Sequence, residues 1–314
     1  MKQSYLWGID LGGTKIECAV LAADDLTHII ARERIDTEAS KGYEHIISQV
    51  ARLVSRVSDQ IGVSPTHIGF ATPGVLNPAT QTMKNCNTTS MNGRPMAVDL
   101  AKATGAQVRL ANDANCFALA ETLMGVVQDV NPKAEVVFGI IMGTGVGGGL
   151  VVHGQVINGL HGIGGEWGHN ILEEGGTPCY CGKSGCVEHV ISGPALEGFY
   201  MSQSGQKLRM PQILQAHLAG TDTFASATIE RMLENFGRAV STLINVLDPQ
   251  VIVIGGGVGN IDLLYTEGIE RIKKYIFNSR EVLTPIVKPK LGDSAGVFGA
   301  ALLFAASQLK SPTA

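Results

Sequence analysis

Leu6-Trp-Gly-Ile-Asp10-Leu-Gly12-Gly13-Thr14-Lys15-Ile-Glu-Cys-Ala-Val-Leu21 reads as strand, glycine turn, strand. Such a turn exposes backbone N–H groups that suit phosphate oxygens, and Asp10, at the end of the first strand, is placed to reach a phosphate-bound Mg²⁺. Taken alone, the same pattern describes a plain β-hairpin. It recurs, however: Val136–Met142 leads into Gly143-Thr144-Gly145-Val146-Gly147-Gly148-Gly149 and then Leu150-Val-Val. An internal echo of one supersecondary unit points to two related lobes that share a nucleotide. Gly143, Gly145 and Gly148 satisfy G-x-G-x-x-G, but a strand follows instead of the helix that a dinucleotide fold requires. No Walker A loop occurs in the chain.

Working outward, Val251-Ile-Val-Ile-Gly255-Gly256-Gly257 ends a strand after Ile229–Leu247, whose apolar residues recur at helical spacing. Glycines there let backbone approach a flat ring such as adenine, although a strand-to-helix turn has the same composition. Gly292-Asp-Ser-Ala-Gly296 opens a last helix of small residues. With 45 % hydrophobic content, 314 residues suffice for two packed lobes. The lobes are expected to be discontinuous: residues 1–112 completed by a helix over 296–314, and residues 113–295 carrying a metal loop over 169–187. The tail from Lys310 reads as disordered. A net charge of −4 with dispersed basic residues gives no footprint for nucleic acid, and no apolar run approaches the ~20 residues of a membrane span. Six cysteines without a signal peptide ahead of them lead to the expectation of a cytoplasmic protein.

Between the two hairpins, Val108-Arg-Leu-Ala-Asn112-Asp113-Ala-Asn115 reads as a strand running into a helix. Asn112 or Asp113 suits the helix cap. Asp113 also falls at the carboxyl end of a strand, where α/β sheets build their sites, and a carboxylate there can take a proton from a hydroxyl that attacks phosphorus.

Gly165-Glu166-Trp-Gly-His169 and Cys179-Tyr-Cys181-Gly-Lys-Ser-Gly-Cys186-Val-Glu188 offer three thiolates and one imidazole at short spacing, a donor set for a tetrahedral structural Zn²⁺. The carboxylates Glu166 and Glu188 flank these ligands. A disulfide between Cys179 and Cys186 is the competing reading. Cys18, Cys86 and Cys116 read as core or pocket-lining residues.

In order along the chain, Asp10–Lys15, Asn112-Asp113-Ala-Asn115, the glycines 143–149, Glu166-x-x-His169, the cysteine loop to Glu188 and Gly255–Gly257 resemble the ROK family of repressors, open reading frames and kinases. The resemblance implies a two-lobed, actin-like (ribonuclease-H-like) α/β ATPase fold with an inserted zinc loop, usually dimeric through the second lobe. It implies an ATP- and Mg²⁺-dependent sugar kinase with Asp113 as catalytic base. By the same analogy Asn112, Asp113, Glu166, His169 and Glu188 bind sugar hydroxyls, with His169 also a zinc ligand beside Cys179, Cys181 and Cys186. Asp10, Gly12, Gly13, Thr14 and Lys15 resemble the first phosphate loop. Gly143, Thr144, Gly145, Val146, Gly147 and Gly148 resemble the second, and Gly255, Gly256 and Gly257 the adenosine loop. Asn87, in Met83-Lys-Asn85-Cys86-Asn87 through Asn92-Gly93-Arg-Pro95, is a candidate sugar contact or a turn asparagine. That stretch looks most like bacterial fructokinases, so phosphorylation of fructose on its 6-hydroxyl is expected first, and N-acetylglucosamine kinase or glucokinase activity is the alternative. The family's regulators carry an added N-terminal DNA-binding segment, for which a first strand at about Tyr5 leaves no room.

Overall fold

The computed structural model describes residues 4–308; the tail from Lys310 to Ala314 lies outside them. In chain order the elements begin with β1 (Tyr5–Leu11), β2 (Lys15–Ala22), β3 (Ile29–Asp36), α1 (Tyr43–Ile61), β4 (His67–Thr72), β5 (Val75–Leu76) and β6 (Met83–Lys84). They continue with α2 (Met96–Thr104), β7 (Gln107–Asn112), α3 (Asp113–Leu123), α4 (Val126–Val130), β8 (Val136–Met142), β9 (Val146–Val152) and β10 (Gln155–Val156). The rest are α5 (Glu188–Ile191), α6 (Gly193–Ser204), α7 (Met210–Leu218), α8 (Thr223–Leu247), β11 (Val251–Gly255), α9 (Glu267–Ile272), β12 (Ile286–Val287) and α10 (Ala295–Gln308).

The chain forms two compact units, Met1–Pro132 with Gly149–Gly164 and Lys290–Ala314, and Lys133–Gly148 with Gly165–Pro289. These boundaries differ from the sequence-based division at 112/113 and 295/296. The reason is α3, which packs along α10 in the first unit instead of joining the second. At Gly299 of α10 an added Cβ would fall 1.8 Å from the Cys116 carbonyl oxygen, so the two backbones touch.

In the first unit the sheet order is β3-β2-β1-β4-β7, with β1, β4 and β7 parallel and β2 and β3 antiparallel to their neighbours. Alternation along β1 sends Trp7, Ile9 and Leu11 into a core with Ile46, Val50, Leu53 and Val57, which line one face of α1 at helical spacing. The opposite face of β1 and β4 carries Gly8 and Gly69. Cβ atoms there would lie 2.2 Å from the Val297 carbonyl oxygen and 1.8 Å from that of Ala300, which is how α10 rests directly on the sheet. Asp10 points to this same face.

The second unit is built on β8, flanked by β9 and β11, with β12 beyond and parallel to β11. β9 crosses the unit boundary, and its later residues Val151 and Val152 pair with β10 in the first unit. The strand order β10-β9-β8-β11-β12 therefore repeats that of the first sheet position by position. Val251 to Ile254 are fully buried. α8 starts at Thr223, six residues ahead of the sequence estimate, because Asp222 caps it. Its carboxylate accepts the Phe224 and Ala225 N–H groups at 2.8 and 3.1 Å and the Tyr200 hydroxyl at 2.7 Å. Among the described residues no helix is long and apolar enough to cross a membrane.

Candidate active site

In the first unit, register aligns Asp10, Glu17 and Arg34 in one row across β1, β2 and β3. Glu17 is buried and accepts both Arg32 and Arg34. The Asp10 carboxyl is pushed up to about 6, by burial first and then by the Asp113 and Glu17 carboxylates, with Arg34 opposing. A buried carboxyl raised by neighbouring carboxylates suits contact with a divalent cation, whose charge opposes both causes. Gly296 leaves room for the Asp10 carboxylate: a Cβ there would stand 2.8 Å from Asp10 Oδ2. In the adjoining turn Gly12 N–H donates to the Lys15 carbonyl at 3.0 Å, and Thr37 ties the turn down through the Thr14 and Gly12 carbonyls at 2.8 and 2.7 Å. Gly12 thus closes the turn, and Gly13, Thr14 and Lys15 are exposed.

The junction of β7 and α3 separates the two roles that the sequence left open. Asn112 is the cap, its buried side chain accepting Asn115 N–H at 2.7 Å. Asp113, at the strand end, takes no part in that bond. Its carboxylate accepts Ala114 N–H at 2.8 Å and is open to solvent while set deep among protein atoms. That desolvation raises it above the usual carboxylate range, and backbone N–H groups oppose the shift. Asn87 is exposed on a turn that Asn92 clamps by bonding Cys86 N–H and C=O at 2.9 and 3.2 Å.

In the second unit Gly143, Thr144 and Gly257 line one cavity of about 660 Å³. Its volume suits a small-molecule ligand. Gly256 takes φ 87°, and a Cβ on it would fall 2.3 Å from the Met142 carbonyl oxygen, so glycine is required behind the cavity; Gly255 is buried in β11. The apolar wall comes from Met210, Pro211 and Leu214 of α7 and from Ile261. Sequence reasoning missed these residues because they carry no glycine or charged motif. The available signal was Glu197, which pairs with Arg209 at 3.3 Å and accepts Met210 N–H at 3.0 Å, anchoring the start of α7.

The far side of the same glycine turn is held by the metal-loop segment. Glu188 Oε2 accepts Val146 N–H at 3.1 Å, and Trp167 Nε1 donates to the Gly147 carbonyl at 3.0 Å. Glu166, half-buried, opens the short turn Trp167–His169.

His169, Cys179, Cys181 and Cys186 bring their donor atoms within 4.8 Å of one another. His169 Nδ1 lies 3.6 Å from Cys179 Sγ, and Cys181 Sγ lies 3.6 Å from Cys186 Sγ. A tetrahedral ion at about 2.3 Å from sulfur and about 2.0 Å from nitrogen requires edges of about 3.6–3.8 Å. The cysteine sulfurs are unbonded, Cys179 and Cys186 included, as a metal-binding set requires. Tyr180, unnoticed in the sequence, contacts His169 Nε2 through its hydroxyl at 3.0 Å and so orients Nδ1 toward the thiols.

Residues 6–307 match the model of the ROK family. Over 310 residues the chain is 37 % identical to an N-acetyl-D-glucosamine kinase of Pasteurella multocida, covering 95 % of this chain and 98 % of that one. An N-acetyl-D-glucosamine kinase of Vibrio cholerae is 34 % identical over 307 residues, with 95 % and 98 % covered. Among solved structures, a ROK hexokinase from Thermus thermophilus superposes with a TM-score of 0.86 at 31 % identity, covering 97 % of this chain and 99 % of that one.

Proposed function

The chain belongs to the ROK family, and we propose that it is an ATP-dependent N-acetylglucosamine kinase that phosphorylates the 6-hydroxyl of the sugar. The observation that carries this reading is the near full-length identity to N-acetyl-D-glucosamine kinases. It moves that sugar ahead of fructose, which the Met83–Pro95 stretch had suggested. Glucose is kept in view because the similar Thermus thermophilus protein is a hexokinase.

Asp113 accepts the proton of the 6-hydroxyl as that oxygen bonds to the γ-phosphorus; the bond to the β,γ-bridging oxygen breaks, ADP leaves, and the proton passes from Asp113 to solvent. Backbone N–H groups of the turns at Gly12–Lys15 and Gly143–Gly148 donate to phosphate oxygens, and the cavity at Gly257 takes the adenosine. Asn112, Glu166 and Glu188 bind sugar hydroxyls, with Asn87 a further contact, and His169 Nε2 takes one by exchanging its Tyr180 partner for the sugar. Asp10 would hold Mg²⁺, which supplies charge neutralisation on the phosphoryl oxygens. His169, Cys179, Cys181 and Cys186 would hold a structural Zn²⁺, for which their spacing fits. A cytoplasmic homodimer is part of the reading by family likeness.

A coupled ADP-release assay over N-acetylglucosamine, glucose, mannose, N-acetylmannosamine and fructose tests the substrate. N-acetylglucosamine is expected to give the highest kcat/KM, and a higher value for fructose would restore the fructokinase reading. Gly296→Ala tests the Asp10 site. Crowding its carboxylate is expected to lower kcat/KM about tenfold and raise the Mg²⁺ requirement, on the scale of one displaced charge-assisted contact. Unchanged Mg²⁺ dependence would remove Asp10 from that role.

A further inference from the structure

We propose that Glu188 is a positioning residue for the second glycine turn, so that the carboxylate assigned to the sugar also sets the backbone that receives the nucleotide. This rests on the kinase reading above. Glu188 Oε2 accepts Val146 N–H at 3.1 Å, and Gly145 packs against the same oxygen so closely that a Cβ there would fall 2.5 Å from it. The rest of the turn is gripped from the same segment. Trp167 Nε1 holds the Gly147 carbonyl at 3.0 Å, and a Cβ on Gly168 would fall 1.9 Å from the Val146 carbonyl oxygen. On its other side Gly143 accepts Gly193 N–H at 2.8 Å and lines the cavity assigned to adenosine. One oxygen of Glu188 is thus committed to the nucleotide turn. A sugar hydroxyl on the other oxygen of this carboxylate fixes its orientation, and the effect passes to Val146 through a single hydrogen bond. Binding of either substrate then favours the other, because affinities that share one positioned group are linked.

The test is calorimetric binding of the non-hydrolysable analogue Mg-AMPPNP to wild type, Glu188→Gln, Glu188→Asp and Glu188→Ala, without sugar and with saturating N-acetylglucosamine. Wild type is expected to bind the analogue several-fold more tightly with sugar present. Without sugar, Glu188→Gln keeps an acceptor at full reach and stays within about threefold of wild type. Glu188→Asp, one methylene short, and Glu188→Ala weaken binding about tenfold, the scale of one charge-assisted hydrogen bond. Amide hydrogen exchange of the peptide spanning Val146 is expected to rise in Asp and Ala but not in Gln, a change that a general loss of stability would not confine there. If Glu188→Ala loses its fold, the Gln and Asp pair decides. Sugar-free affinity of Glu188→Asp within twofold of wild type, with only its sugar KM raised, would overturn the proposal and leave Glu188 a sugar ligand alone. Wild type that binds no nucleotide would instead overturn the kinase reading itself.

Discussion

Asp113→Ala is expected to lower kcat about 10³–10⁴-fold, the range of a lost general base, while N-acetylglucosamine still binds. The expectation rests on a division of labour at the head of α3. Because Asn112 supplies the cap, removing the Asp113 carboxylate costs the helix little, and circular dichroism and thermal melting should stay near wild type. Burial raises the Asp113 carboxyl, and the base must be deprotonated. Activity is therefore fully present above its raised value and is lost as pH falls through it. The acid limb of kcat/KM should lie above the ~3.9 of an ordinary aspartate. Turnover near wild type in Asp113→Ala would remove the residue from the role of base, and an acid limb unchanged in that variant's residual activity would do the same.

Loss of the metal is the second large effect expected. Freshly purified protein should contain one zinc per chain by elemental analysis. Cys181→Ser is the cleanest lesion, because Cys181 is exposed and the change opens no cavity in the core. Losing an outer partner of a ligand costs about 10–100-fold in metal affinity, and a lost ligand costs more. Cys181→Ser should therefore lose its zinc to a mild chelator that leaves the wild type loaded. The loop contains His169 and is flanked by Glu166 and Glu188, so the sugar KM should rise with metal loss and the melting temperature should fall. Tyr180→Phe, which frees His169 Nε2, should weaken the metal within that 10–100-fold range. Protein that is free of zinc on purification and melts unchanged in Cys181→Ser would contradict a structural metal.

The two repeated hairpins were legible because strand, glycine turn and strand are local features, and each hairpin stands in a five-stranded sheet of matching order, which the sequence did not foretell. The clustering of His169, Cys179, Cys181 and Cys186 was legible because three thiols and an imidazole at short spacing suit one tetrahedral ion. What the sequence did not disclose depends on long-range packing. The assignment of α3 to the first unit follows from its backbone contact with α10, some 180 residues later, through Gly299 and Cys116. The wall of the 660 Å³ cavity is made of ordinary apolar side chains on α7, whose role appears only when Glu197 fixes the start of that helix. Asp222 as the cap of α8 was overlooked because the apolar period becomes regular only from Ile229. The choice between fructose and N-acetylglucosamine turns on a few contacts in a shared pocket, and motifs common to the whole family do not separate such sugars.

The measurement that bears most directly on the account is identification of the product formed from N-acetylglucosamine and Mg-ATP, by correlating its ³¹P signal with sugar protons. The account predicts a phosphomonoester coupled to the two C6 protons, with one ADP formed per product and ADP formation by Asp113→Ala slowed about 10³–10⁴-fold. Phosphate attached at C1, release of inorganic phosphate without a sugar ester, or an equal yield from Asp113→Ala would contradict it.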